Sequence, residues 1–244
     1  MNEAKHSDRS QPTLERQEAL VEQQTTVAHK EIIGILRDMG NSLIDGFNSL
    51  GGEVMLPDED RLLRAWLLLL AHSTQTWVCA WHLSVKGYYS QSITLLRTMT
   101  EDYLVALDCQ CTSETLRCVL GDATKHRWNF KKMAERVGQN DVAYDVEYVY
   151  QCSFAHPDRS IRTLISPEHG GLVTAPEYDE LLFLSCCELN LRACLRTLDV
   201  MHRFLSRANP DGVAAWCQLS DERTRTARQW YRTMRTRYGS GDSL

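Results

Sequence analysis

The sequence predicts an all-α fold, a single-domain antiparallel bundle of about seven helices, and three observations carry that prediction. Leu184, Cys187, Leu191, Cys194, Leu198, Met201 and Leu205 alternate steps of three and four without a break, the spacing that keeps side chains on one helical face. Trp66, Leu70, Ser73, Trp77 and Trp81 repeat the same steps earlier in the chain. Between such runs stand helix breakers, at Gly51-Gly52, Gly87, Gly138, Pro157 and Pro210-Asp211-Gly212.

Residues 1–11 are polar and read as a frayed tail, with one domain over 12–238 and a flexible end at 239–244. From Pro12 to about Leu50 the chain favours helix. Its first half is almost wholly polar, as suits a segment that projects or packs on a partner. Its second half has a stripe of Ile32, Leu36, Met39, Leu43 and Phe47. Pro57-Asp58-Glu59-Asp60 places carboxylates where a helix first turn favours them, and the helix that follows runs to Gly87. The stretch 88–109 has Tyr89, Leu96, Met99, Tyr103 and Leu107 on one stripe and Leu95, Leu104 and Val105 off it. A helix apolar on several sides belongs at the centre of a bundle.

Thr112-Ser113-Glu114 reads as a cap before a fourth helix running to about Val137. A fifth, Asp141–His156, has Val142, Val146, Val149, Ser153 and His156 along one face and ends where Pro157 forces its predecessor out of the helical region. Residues 161–174 read as a short β-hairpin or a loop. Pro176 and Glu177 open a long helix to about Arg207, and a last amphipathic helix ends in a basic, aromatic tail.

Hydrophobic content of 43% and charged content of 24% are those of a globular protein. A net charge of −5 argues against a large non-specific nucleic-acid footprint. The run Ala65–Ala71 is far short of the roughly 20 residues that span a bilayer, and residues 1–17 contain no apolar core of a signal peptide. No membrane is expected. The nine cysteines form no C-x-x-C pair and mostly occupy apolar positions, as free thiols in a reducing cytoplasm would. No phosphate-binding glycine loop, nucleophile elbow or H-E-x-x-H motif is present, and no expected helix contains a di-iron Glu-x-x-His. No cofactor and no metal are expected.

Two polar constellations stand out. Arg97 and Glu101 are one turn apart with Ile93 and Leu104 on their side of the helix. They read either as a surface ion pair worth a few tenths of a kcal/mol or as a partly buried pair kept for geometry or function. His156 falls on the apolar face of its helix, as a C-terminal capping histidine or as a general acid/base. The basic final helix, Arg223 to Tyr238, reads as a solvated face or as an RNA contact.

Leu96-Arg97-Thr-Met-Thr-Glu101, Trp128 before Met133-Ala134, and Tyr148-x-Tyr150-x-x-Ser153-x-x-His156-Pro157 together resemble a bacterial helical family of unknown function. The resemblance covers 88–165, and that family is HEPN-like in its helical make-up. It implies helical dimers, often RNA-cutting toxins or defence components, with an Arg-x4–6-His motif on one helix. Here Arg97 and His156 lie on different helices, a departure that puts ribonuclease activity in doubt. The spacing is matched instead by Arg196 and His202. Helical geometry puts Arg196 nearly opposite the Leu184–Leu205 seam and His202 at its edge, which favours a solvated Arg196–Asp199 pair.

Two functions follow as expectations. The first is a non-catalytic dimerisation or interaction module of a stress or defence system, acting as a homodimer or on a protein partner. The second is a metal-independent ribonuclease using Arg97, Glu101 and His156, with Arg196 and His202 as the alternative pair.

Overall fold

The computed structural model describes residues 13–50, 60–122, 128–155 and 176–238. Among these the fold is all-α, with nine α-helices and one π-helical segment and no strand. The expected tails, His156 and the hairpin or loop at 161–174 lie outside the described residues.

The N-terminal stretch divides at His29 into α1 (Leu14–Ala28) and α2 (Lys30–Asn48). Thr13 caps α1, its hydroxyl accepting from the Arg16 N–H. The polar composition of α1 shows in its packing: only Val21 and Thr25 are buried. Polar contacts fix it instead, with Glu18 accepting from Lys86 and Tyr88 and the Gln17 amide donating to the Pro176 carbonyl. Its outer side leaves Leu20 and Val27 in solvent.

α3 (Arg61–Val85) begins at an Asp60 cap whose carboxylate accepts from the Leu63 N–H. Gly87, at φ 88°, reverses the chain into α4 (Tyr89–Cys111). A Cβ on Gly87 would lie 2.9 Å from the Glu177 carbonyl oxygen, so both φ and space demand glycine there.

α5 (Ser113–Val119) and α6 (Phe130–Arg136) replace the single fourth helix expected over 112–137. The fifth helix is a π-helical segment, Asn140–Tyr148, that continues as α7 (Val149–Ala155). α8 (Glu180–Ala208) starts three residues later than Glu177, because Asp179 is the cap that satisfies the Leu182 N–H. α9 (Pro210–Tyr238) completes the chain.

α2, α3, α4, α8 and α9 form the body. Asp60 meets Arg207 at one end and Ser84 meets Asn190 at the other, so α3 runs antiparallel to α8. Tyr89 lies by Cys186 and Tyr103 by Arg196, so α4 runs parallel to α8. The crossover of residues 112–179 makes that parallel pairing possible. α2 also runs with α8, His29 against Phe183 and Gly46 against Met201, while α9 returns antiparallel.

The core joins all five helices, with Leu36, Met39, Leu43, Leu70, Ile93, Leu96, Met99, Leu191 and Met201 excluded from water. α4 packs against α3, α5, α6, the π segment, α7 and α8, the central place its many-sided apolar pattern predicts. Two satellite clusters, one of Ala65, Val105, Cys109 and Met133 and one of Leu104, Ala134 and Ala143, seat the crossover on α4. No helix among the described residues is long and apolar enough to cross a membrane.

Candidate functional site

α4 presents Arg97 and Glu101 toward the crossover. Arg97 Nε is 3.3 Å from Glu101 Oε1, with the side chains 30% and 20% exposed, so the pair is partly buried rather than a solvated surface pair. Nε lacks hydrogen-bond geometry, so the attraction is through charge. Burial pushes the Glu101 carboxyl above the usual carboxylate range, opposed by the Arg97 guanidinium and a hydrogen bond from Tyr148. The Tyr148 phenol is in turn pushed up by burial and by the Glu101 charge.

Tyr148 is where the pair meets the crossover. Its ring stacks on Tyr144, centroids 5.2 Å apart at 23°, and lies 5.4 Å from Phe130 at 48°. With Trp128, Asn129 and Lys131 these rings line a cleft of about 440 Å³. α7 then packs along α4, where the Thr100 hydroxyl donates to the Gln151 amide oxygen at 3.0 Å. His156, the third member of the expected constellation, lies outside the described residues.

The face expected from Val146, Val149 and Ser153 is not the inner one. Val146 and Val149 are 57% and 50% exposed, whereas Ala143, Glu147, Gln151 and Phe154 face inward. The inner residues follow steps of four, four and three, so the period is helical and the covered face is turned by about one residue from the valines, whose apolarity alone does not say which side is packed.

Glu147 corrects the reading of Arg196 as well. Its carboxylate, 3% exposed, accepts from Arg196 Nη1 at 2.6 Å and Nη2 at 2.7 Å and from Arg192 Nη1 at 2.8 Å. Arg192 also donates to Glu188 and the Tyr231 hydroxyl. The guanidinium of Arg196 lies over the Tyr103 ring at 5.5 Å. Asp199, the partner expected for Arg196, pairs with Arg203 at 3.0 Å instead. His202 is exposed, its ring 6.5 Å from that of Trp216 on α9. Arg196 and His202 therefore meet different neighbours within the chain.

Two further buried carboxylates escaped the sequence reading. Asp108 is fully buried at the end of α4 and accepts from Arg136 at 2.5 and 2.9 Å and from the Thr115 hydroxyl at 2.5 Å, tying α5 and α6 to α4. Asp102 accepts from Ser73 at 2.9 Å and bonds His72 Nδ1 at 2.8 Å. Burial pushes its carboxyl up, against the pull of His72 and Ser73. Ser73 and His72 share one carboxylate oxygen rather than bonding each other, so this is not a relay from hydroxyl to imidazole to acid. Both carboxylates occupy positions on a helix whose neighbours are apolar, and a burial pattern alone does not distinguish them from exposed ones.

Among the described residues no group of three His, Cys, Asp or Glu side chains converges as a metal site would. All nine cysteines are free thiols. No protein-family model, curated protein or solved structure matches this chain.

Proposed function

We propose that this chain is a non-catalytic helical interaction module of a bacterial stress or defence system, acting in the cytoplasm as a homodimer or on a protein partner. One observation supports the reading above others: Arg196, the arginine with the Arg-x4–6-His spacing, is spent within the fold. It gives both terminal nitrogens to Glu147, while Arg97 is held beside Glu101 by charge. A guanidinium held by a buried carboxylate positions helices and is not available to a scissile phosphate. The outward Leu20 and Val27 of α1 supply apolar surface on a helix that buries little of itself.

Size-exclusion chromatography with light scattering tests the reading. The expected result is a dimer or a stable complex with a protein partner, disrupted by Leu20→Asp with Val27→Asp. A chain that is strictly monomeric alone and remains so after incubation with lysate overturns it.

The ribonuclease reading keeps one support: α7, the element immediately before His156 in sequence, packs on the helix of Arg97 and Glu101. RNA cleavage that is abolished by His156→Ala and untouched by His202→Ala would replace the first proposal with this one.

A further inference from the structure

We propose that the cleft beside Tyr148 is a binding site for a small planar aromatic carboxylate. Its volume of about 440 Å³ falls in the range of roughly 300–1,000 Å³ typical of small-molecule sites. Four of its six lining residues, Trp128, Phe130, Tyr144 and Tyr148, are aromatic. Such a lining favours a flat ring, which stacks on or meets the edges of these faces at centroid distances of roughly 4.5–7 Å.

The wall is held in place before any ligand arrives. Tyr144 and Tyr148 stack on each other, Tyr148 also meets Phe130, and Glu101 beside Tyr148 is paired with Arg97. A slot whose rings are already fixed loses little side-chain entropy on binding.

Charge selects the rest of the ligand. Among the described residues that line the cleft, the charged one is Lys131. Glu101, beside Tyr148, is already offset by Arg97. Lys131 would repel a cationic guest, which argues against an aromatic cage for an ammonium. One lysine matches one carboxylate. Asn129 adds a donor: its side-chain oxygen accepts from the Lys132 N–H at 3.1 Å, which leaves the amide NH₂ as the part that can meet a ligand oxygen. Binding here is independent of the interaction reading, because α1 and the cleft use separate elements.

The test is titration of the folded chain with anthranilate and with indole-3-carboxylate, followed by calorimetry and by quenching of tryptophan fluorescence. Acetate and benzyltrimethylammonium serve as comparators, and Lys131→Glu and Tyr144→Ala as variants. The expected result is saturable binding of the aromatic acids and none of the comparators. Affinity should fall at least about tenfold in each variant. Lys131 is exposed, so its variant keeps the fold and remains informative even where Tyr144→Ala melts early. No saturable binding of the aromatic acids, binding unchanged in Lys131→Glu, or preferential binding of the ammonium overturns the proposal.

Discussion

Replacing Glu147 by alanine removes the carboxylate shared by Arg192 and Arg196, and the structure sets the size of the effect. Arg192 keeps Glu188 and Tyr231, so its charge stays compensated. Arg196, with its side chain 13% exposed, is left with the face of Tyr103. One buried guanidinium without its anion costs about 3–5 kcal/mol. In a chain of this size each kcal/mol moves the midpoint by roughly 2–4 °C, so Tm should fall by about 6–20 °C. Thermal melts followed by circular dichroism, with urea unfolding at fixed pH, measure it. The double variant Glu147→Leu with Arg196→Met removes both charges and should recover most of the loss, because the penalty belongs to the orphaned charge. A Glu147→Ala protein within about 1 kcal/mol of the parent, or a double variant no better than the single, refutes this account of the triad.

The Asp108–Arg136 pair should be asymmetric under mutation. Arg136→Ala strands a fully buried carboxylate and should cost about 3–5 kcal/mol, whereas Asp108→Asn leaves a guanidinium that is 44% exposed and can rehydrate, so urea midpoints should rank Arg136→Ala lower. Burial lowers the His29 pKa below its usual 6.5, with Glu180 opposing. The neutral imidazole is thus favoured in the fold, and its contribution is present above the unfolded pKa and lost as pH falls through the folded one. Between about pH 7.5 and 5.5 the parent should lose more stability than His29→Gln, and equal losses would contradict that. Thiol reagent under native conditions should label exposed Cys79 and Cys111 quickly. Cys109 and Cys186, pushed up to about 12 by burial, should react only after unfolding, as mass spectrometry of the labelled chain would reveal.

What could be read from the sequence was what apolar spacing encodes. The α8 seam from Cys187 to Leu205 is buried as its spacing predicts, and α4 is central because Leu104, Val105 and Leu107 are all covered. The reading failed on the π segment and α7, where the valines suggested the wrong face. Val146 and Val149 looked inward and face solvent, while Glu147 beside them is buried. The fate of Arg196 was hidden for a different reason: its side of α8 is opposite the seam, and it is covered by a segment distant in sequence. One signal was present. Arg192 and Arg196 are a turn apart on a helix otherwise rich in buried residues, and two cations so placed call for an anion from elsewhere. Nothing in a linear sequence says which one, because ion pairing across 45 or 49 residues leaves no local pattern. The cleft at Tyr148 was legible only in part: the four-residue step from Tyr144 to Tyr148 is in the spacing, whereas their meeting with Phe130 of α6 is not.

The crossover is fastened to the body differently from the way the body is fastened to itself. The long helices share one continuous apolar interior, to which α7 adds Phe154, while α5, α6 and the π segment are attached through two small clusters, Asp108 with Arg136, and Glu147 with Arg192 and Arg196. Such a piece should open as a cooperative unit of its own, its amides exchanging with deuterium through an opening that costs less than global unfolding. The molecule then has two thresholds of unfolding, and the first would dissolve the aromatic cleft while leaving α1 to α4, α8 and α9 assembled.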